Sequence, residues 1–268
     1  MTRLGQRLGA LRASGRKALV PFITAGDPSL EATVSVLHAL ADAGADVIEL
    51  GVPFSDPMAD GPVIQRSSER ALTRGAGLGY VLGCVREFRQ RDRDTPIVLM
   101  GYLNPVEVHG VDACAAEASE AGVDGMLLVD LPQEEAGAYR AAFSAHRLEL
   151  ITLVAPTTPR DRLERLCEQA EGYLYYVSYA GVTGAARPDA SEIGQHLEAM
   201  REWARVPVLV GFGIRDAESA SAIAARADGV VVGSALVSAL AMASPGSEGV
   251  VAAEFLRPLR AALDNVAR

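Results

Sequence analysis

The sequence predicts an α/β protein, a (β/α)8 TIM barrel with an extra N-terminal helix and added helices, in a single domain over residues 1–268. Eight short apolar runs alternate with amphipathic helical patterns, and no linker divides them. Hydrophobic residues make up 49% of the chain and aromatic residues only 5%, as helices packed on strands require. An open doubly wound sheet is the alternative, but residues 24–28 (Thr-Ala-Gly-Asp-Pro) lack the glycine fingerprint expected after its first strand.

The elements follow from these two periodicities, taken in chain order. Runs rich in Val, Leu and Ile predict strands at 18–24, 47–50, 97–100, 125–129, 148–154, 173–177, 208–211 and 229–232. Helical spacing of Ala and Leu predicts intervening helices at 30–43, 63–74, 112–121, 134–145, 160–170, 193–204 and 217–225. Further helices are expected at 4–13, 78–91 and 255–267, and the first of them precedes strand one, where it could plug the bottom of the barrel.

Charge and composition narrow the class of partners. A net charge of −9 and a pI near 5.0 argue against nucleic acid. No apolar run has the length of a membrane span, and the basic N-terminal segment has no apolar stretch typical of a signal peptide. Three cysteines without CxxC spacing, Cys84, Cys114 and Cys167, indicate buried thiols in a reducing, cytoplasmic location.

The inventory of basic side chains restricts the chemistry. Lys17 is the only lysine, and the four histidines are scattered without paired spacing. Catalysis through a lysine imine and a histidine-ligated metal are therefore both disfavoured, and no metal site is expected. Carboxylate chemistry remains.

Residues 47–62 carry the strongest chemical signal. Glu49 interrupts an apolar strand, and Asp60 lies on a loop stiffened by three prolines. A buried acid beside a second acid on the loop above it is a candidate general acid–base pair. The alternative is structural: backbone N–H groups satisfy Glu49, and Asp60 caps the helix that follows Gly61 and Pro62.

Glycine-rich turns predict an anion site at the same end of the barrel. Gly-Phe-Gly (211–213) and Gly-Ser (233–234) follow strands seven and eight, where backbone N–H groups and a helix N-terminus can bind a phosphate. Tight turns that need glycine for steric reasons are the alternative. Apolar residues at this rim could line a flat slot for a planar ligand; they are Phe22, Met100, Tyr102, Leu127, Val129, Leu153, Tyr175 and Phe212.

Five segments together resemble the tryptophan synthase alpha subunit, and the likeness extends over the whole chain. They are residues 19–28, 49–57, 59–65, 181–184 and 211–214. The resemblance implies a barrel lyase that cleaves indole-3-glycerol phosphate to indole and glyceraldehyde 3-phosphate. It also implies a pyridoxal-phosphate beta chain as partner, in an alpha2beta2 complex, with no cofactor in this chain.

Site residues carried over from the resemblance fall into three groups. Glu49 would protonate indole C3 and then accept the glycerol hydroxyl proton, while Asp60 would bind the indole N–H and stabilise the ring cation. The phosphate would contact Gly184, Gly213, Gly233 and Ser234, and the ring and glycerol chain would contact Phe22, Tyr102, Leu127, Tyr175, Thr183 and Phe212. Contacts with the beta chain would involve Pro53, Asp56, Pro57, Asn104, Pro105 and Pro132.

Some positions depart from the family pattern. Met58 stands where leucine is usual, and Gly101 and Leu103 flank Tyr102 where bulkier or polar residues are common. Tyr179 replaces the usual arginine of a lid that completes the site. Because of Tyr179, a stand-alone lyase that releases indole stays as the alternative to the alpha subunit. A silent activator of the beta chain conflicts with the intact acid pair, and another phosphate-binding barrel would not explain the loop at 55–57.

Overall fold

The computed structural model describes residues 2–177, 190–211 and 213–266, and its eight parallel strands close into a barrel in sequence order. The strands are β1 (Ala18–Thr24), β2 (Ile48–Gly51), β3 (Ile97–Gly101), β4 (Gly125–Leu128), β5 (Glu149–Val154), β6 (Glu171–Val177), β7 (Val208–Gly211) and β8 (Gly229–Val232). β8 pairs with β1, which leaves no edge in the sheet. The predicted (β/α)8 barrel is thereby confirmed.

Helices surround the strands. Those of the described residues are α1 (Arg3–Ser14), α2 (Ala32–Asp42), α3 (Pro62–Thr73), α4 (Leu78–Phe88), α5 (Leu103–His109), α6 (Val111–Ala121), α7 (Ala136–Ala145), α8 (Arg160–Gln169), α9 (Ala190–Trp203), α10 (Ala217–Ala224), α11 (Ser234–Ala241) and α12 (Glu248–Asp264). In this part of the chain, none of them has the length and hydropathy needed to cross a bilayer.

Each predicted strand is present, with ends that move by at most two residues. The helix predictions were wrong in two places. α5 was not predicted, because it is short and contains Asn104 and Pro105, which are typical of loops. Only the start of α11 was predicted, at the Gly-Ser pair 233–234, and the helix begins there at Ser234. α12 begins at Glu248, seven residues before the predicted start, since Gly249 and the internal Pro258 obscure its periodicity.

The N-terminal end of the barrel is closed by α1, as the sequence suggested. Leu4, Leu8 and Leu11 are buried among inward-facing residues of the strands, including Val20 and Tyr173. The Thr2 hydroxyl accepts a hydrogen bond from the N–H of Gly5 and so caps the helix. The barrel interior is therefore filled with side chains at this end.

Strand alternation decides which side chains face the interior. In β2, Ile48 and Leu50 pack outward against the helices. Glu49 and Gly51 alternate with them and point into the barrel. The predicted acid thus faces inward because its two apolar neighbours are held by the outer layer.

Carboxylates tie the strands together in pairs at the amino ends. Asp46, Asp124, Glu171 and Asp228 each accept a hydrogen bond from a backbone N–H of the preceding strand, at 2.8–3.0 Å. Asp46 also pairs with the buried Arg260 at 2.8 Å. We call these four contacts the strand-pair clamps, and all of them lie at the end of the barrel away from the glycine-rich turns.

Candidate active site

Glu49 is fully buried in the barrel interior and has one polar partner among the described residues. The hydroxyl of Tyr173, on β6, donates a 2.5 Å hydrogen bond to Glu49 Oε1. Glu49 Oε2 is buried and has no hydrogen-bond partner in the described part of the chain. The alternative that backbone N–H groups donate hydrogen bonds to the Glu49 carboxylate is therefore wrong.

This environment changes the acidity of Glu49. Burial raises its pKa from 4.5 to about 7, and the Tyr173 hydrogen bond, which lowers the pKa, offsets only part of that effect. A carboxyl group that titrates near neutral pH can both donate and accept a proton during one reaction cycle. The burial and the free Oε2 are consistent with such a role.

Asp60 lies on the loop between β2 and α3, at the carboxyl end of the strands. This is the end of the barrel opposite α1. Its Oδ2 accepts a 3.0 Å hydrogen bond from the hydroxyl of Tyr102. Burial raises the Asp60 pKa from 3.8 to about 6, while the Tyr102 bond lowers it. The N-cap of α3 is Gly61, which makes no side-chain cap, so the alternative role of Asp60 as a helix cap is wrong.

The two carboxyl groups converge on one region inside the barrel mouth. Burial raises the pKa of Tyr175, which projects inward from β6, and the nearby charges of Glu49 and Asp60 raise it further. Phe22 of β1 lies level with Glu49 in the sheet register. Two acids and two aromatic rings therefore share one end of the interior.

A narrow cleft opens above this region. Its lining includes Phe22, Thr24, Asp60, Met100, Tyr102 and Val129. The walls are mostly apolar, with the Asp60 carboxyl group as the charged element. Such a cleft suits a planar apolar body that carries a single hydrogen-bond donor.

Two glycines make room for the rings. A Cβ on Gly51 would lie 2.6 Å from the Phe22 ring. A Cβ on Gly211 would overlap the hydroxyl of Tyr175. Any larger residue at either position would displace an aromatic wall of the site.

The predicted phosphate site falls on neighbouring strands. β7 and β8 are paired, and Gly213 and Gly233 follow their carboxyl ends. Gly213 has a φ of +77°, which favours glycine, and Gly233 precedes the first residue of α11, Ser234. The free N–H groups at the start of α11 can bind an anion there.

The remaining predicted contacts have different outcomes. Leu127 is fully buried in the barrel interior, in the same cluster as Tyr173. Thr183, Gly184 and Phe212, together with Tyr179 of the expected lid, lie outside the described residues. Their roles stay predictions.

Sequence reasoning missed two side chains of the site. Tyr173 holds Glu49, and its position two residues before Tyr175 could have indicated that both rings face inward. Thr24 lines the cleft and is 2% exposed, and its buried hydroxyl has no hydrogen-bond partner in the described structure. No sequence pattern distinguishes that hydroxyl from an ordinary strand threonine.

The predicted partner residues follow three consecutive strands, β2, β3 and β4, at the carboxyl end of the barrel. Asp56, Asn104 and Pro132 are exposed, and Pro57 and Pro105 are partly exposed. Pro53 is buried within the chain and so does not reach this surface. Two large apolar side chains accompany the set, Met58 at 80% and Val108 at 82% exposure.

The other end of the barrel holds Lys17. Its ammonium group donates to the carbonyl of Ala227, before β8, at 2.8 Å. A lysine at the amino end cannot reach a ligand at the carboxyl end. Across the described ranges, no three His, Cys, Asp or Glu side chains form a cluster that could hold a metal ion.

Comparison with known proteins agrees with this architecture. A sequence model of the tryptophan synthase alpha chain matches residues 8–263. The tryptophan synthase alpha chain of Xanthomonas euvesicatoria pv. vesicatoria (strain 85-10) is 64% identical over 267 residues, which cover 99% of this chain and 100% of that protein. That of Xanthomonas axonopodis pv. citri (strain 306) is 63% identical, with the same coverage.

Solved structures agree as well. Tryptophan synthase subunit alpha from Legionella pneumophila str. Paris superposes with a TM-score of 0.92 at 44% identity, over 99% of this chain and 100% of that one. A chain of tryptophan synthase from M. tuberculosis in its aminoacrylate-bound form gives a TM-score of 0.87 at 35% identity, over 98% and 100%. The chain therefore belongs to the tryptophan synthase alpha chain family, whose members are lyases of tryptophan biosynthesis.

Proposed function

We propose that Glu49 and Asp60 carry out the retro-aldol cleavage of indole-3-glycerol phosphate to indole and glyceraldehyde 3-phosphate in this chain. The observation that carries the proposal is the pair of inward carboxyl groups with pKa values raised to about 7 and about 6. Asp60 lines the cleft, whose apolar walls suit an indole ring, and Glu49 lies in the same strand as Gly51, which also lines it. The turns after β7 and β8 suit a phosphate.

In the first step the protonated Glu49 donates its proton to C3 of the indole. The ring becomes an indoleninium cation, which serves as the electron sink that a retro-aldol cleavage needs. The carboxylate of Asp60 accepts a hydrogen bond from the ring N–H and stabilises the positive charge. Asp60 must be ionised for this, while Glu49 must carry a proton.

In the second step Glu49, now a carboxylate, takes the proton from the hydroxyl group on the glycerol carbon bound to C3. The bond between that carbon and C3 breaks, the carbon becomes an aldehyde, and the electron pair returns to the ring as neutral indole. The proton that Glu49 gave is replaced, so the enzyme returns to its starting state. This chemistry needs no imine, in agreement with the distant position of Lys17.

Phosphate binding at the turns after β7 and β8 would fix the glycerol end of the substrate. Phe22 lies between that end and the acid pair, because its ring is close both to Gly51 and to Gly233. The substrate would therefore extend from the cleft, past Phe22, to the N-terminus of α11.

A beta chain is the expected partner, in an alpha2beta2 complex, with pyridoxal phosphate bound on the beta chain. The exposed surface formed by Asp56, Met58, Asn104, Val108 and Pro132 supports this, because it joins three adjacent loops next to the mouth of the site. A cytoplasmic location fits the three buried, unpaired cysteines.

The test is indole formation by the purified chain, with and without a beta chain. Glu49→Gln and Asp60→Asn are each expected to lower turnover by about 10²-fold or more. Glu149→Gln is the matched control, since Glu149 is also partly buried with a raised pKa but lies at the amino end of β5. Retention of more than roughly a tenth of turnover in Glu49→Gln would refute its role as the acid–base residue.

The same assay tests the partner. The beta chain is expected to raise turnover by roughly one to two orders of magnitude, as typical coupling energies allow. Full activity in isolation, unchanged at saturating beta chain, would instead indicate a stand-alone lyase.

A further inference from the structure

Tyr102 makes two hydrogen bonds that give its hydroxyl group a fixed direction. The N–H of Ala59 donates to the Tyr102 oxygen at 3.0 Å, and the Tyr102 hydroxyl donates to Asp60 Oδ2 at 3.0 Å. The side chain is 4% exposed, so solvent contributes little to this arrangement. One backbone donor and one carboxylate acceptor therefore occupy the phenol.

The direction of these hydrogen bonds matches the ionised form of Asp60. A phenol has a single proton, and here that proton points at the carboxyl oxygen. An ionised carboxylate accepts such a bond well, whereas a protonated carboxyl group gains less from it. Because the N–H of Ala59 already occupies the phenol oxygen, a proton on Asp60 would compete for the same atom.

The surroundings offer Asp60 no other side chain that favours its charged form. Burial raises its pKa, and Tyr102 is the described side chain that lowers it. The titratable groups that face this pair from other elements are acidic or phenolic: Glu49 of β2, Asp130 after β4 and Tyr175 of β6. None of these can supply a compensating positive charge.

The ring of Tyr102 is held as firmly as its hydroxyl group. The Phe54 ring stacks on it, with centroids 5.0 Å apart and planes 28° apart. Phe54 and Ala59 belong to the loop between β2 and α3, so that loop fixes both the ring and the oxygen that contacts Asp60.

We propose that Tyr102 is a positioning residue that holds Asp60 as the carboxylate required for catalysis, in addition to any contact with the indole ring. This inference rests on the proposed role of Asp60 in the lyase reaction. It also predicts an effect on Asp60 in the ligand-free protein, where no substrate is involved.

Tyr102→Phe is the direct test, because it removes one oxygen and keeps the stacked ring. The Asp60 carboxyl titration is followed by NMR on the full chain with 13C-labelled aspartate, and Asp60→Asn identifies its signal. The midpoint is expected to rise by about one pKa unit, a tenfold change in proton affinity. An unchanged or lowered midpoint would overturn the inference.

Kinetics give a second, separate readout. The ratio of variant to wild-type kcat/KM is expected to be about 0.1 at pH 5.5 and to approach 1 by pH 8.5, because Asp60 ionises in both proteins at high pH. A loss that stays constant across this range would mean that the hydroxyl group matters for packing or ring contact only, and would overturn the inference.

Two further variants keep the test specific. Tyr139→Phe removes a similar hydrogen bond from tyrosine to a carboxyl group, that to Glu107 on the surface, and should leave both readouts unchanged. Phe54→Leu keeps the Tyr102 hydroxyl but loosens its ring, so a smaller shift in the same direction is expected, and a shift downward would contradict the proposal. Absence of indole formation in the wild type would refute the proposed function, while the NMR midpoint would still decide this inference.

Discussion

The burial of Glu49 has a measurable effect on stability, separate from its role in catalysis. The folded protein holds the Glu49 proton up to about pH 7, whereas the unfolded chain loses it near pH 4.5. The unfolded state therefore binds fewer protons between these pH values, and stability falls as the pH rises through them. Above about pH 7 both states are ionised and this contribution stays constant.

The magnitude follows from the two pKa values. One pKa unit corresponds to about 1.4 kcal/mol, so the full destabilisation by ionised Glu49 is roughly 3 kcal/mol. Glutamine has nearly the same shape and can accept the Tyr173 hydrogen bond, but it does not titrate. Between pH 5 and pH 8 the free energy of unfolding of Glu49→Gln should rise relative to the wild type by roughly 2–3 kcal/mol.

The assay is urea unfolding of both proteins at pH 5, 6, 7 and 8, followed by circular dichroism. Other titrating groups are common to the two proteins and cancel in the difference. Parallel stability curves, with a constant difference across this range, would show that Glu49 titrates normally in the folded state. That result would also remove the physical basis for its role as an acid at neutral pH.

Three other outcomes follow from the geometry. The pH profile of kcat/KM should be bell-shaped, rising through about pH 6 as Asp60 ionises and falling above about pH 7 as Glu49 loses its proton. Asp124→Ala should lower the free energy of unfolding by about 3 kcal/mol, since it leaves the buried N–H of Ile97 and the partly buried Arg89 without their carboxylate partner. Gly51→Ala should lower kcat/KM by about tenfold or more, because the new methyl group displaces an aromatic wall of the cleft.

Each outcome has a contradicting result, and the two variants also have matched controls. Activity that stays flat from pH 5 to pH 9 would rule out the two raised pKa values. Asp161→Ala, which removes an exposed ion pair, should change stability by less than about 0.5 kcal/mol, and an equally small effect for Asp124→Ala would refute the clamp. Gly83→Ala adds a methyl group with no heavy atom within 4 Å and should leave activity unchanged; equal activities of the two glycine variants would show that the Phe22 ring tolerates displacement.

Local patterns in the sequence were sufficient for the barrel and for the burial of Glu49. All four residues of β2 are buried, and Ile48 and Leu50 pack against the outer helices, so Glu49 between them faces the interior. The short helix α5 was missed because its Asn104 and Pro105 are also typical of turns. The conformational preferences of single residues cannot distinguish a tight turn from the start of a two-turn helix.

Hydrogen-bond partners on opposite sides of the barrel could not be predicted from the sequence. Glu49 and Tyr173 are separated by 124 positions, and only closure of the sheet brings the phenol to the carboxyl group. The sequence placed Asp60 on the loop above Glu49, but the choice between a helix cap and a bond to Tyr102 depended on the backbone at Gly61. The predicted roles of these residues in catalysis stay predictions until the assays above are done.

The strand-pair clamps have a consequence for how this barrel could be divided. Each clamp joins an odd-numbered strand to the even-numbered strand that follows it, so the four contacts define four successive two-strand modules. A chain break in the turn between α7 and β5 would separate two modules from two and leave each of these carboxylates on the same fragment as its N–H donor. The two halves, expressed as separate polypeptides, would each keep the clamps that align their own strands. We expect them to reassemble into the closed sheet. Residues that set strand alignment are in this way separated, at opposite ends of the barrel, from those that set the chemistry.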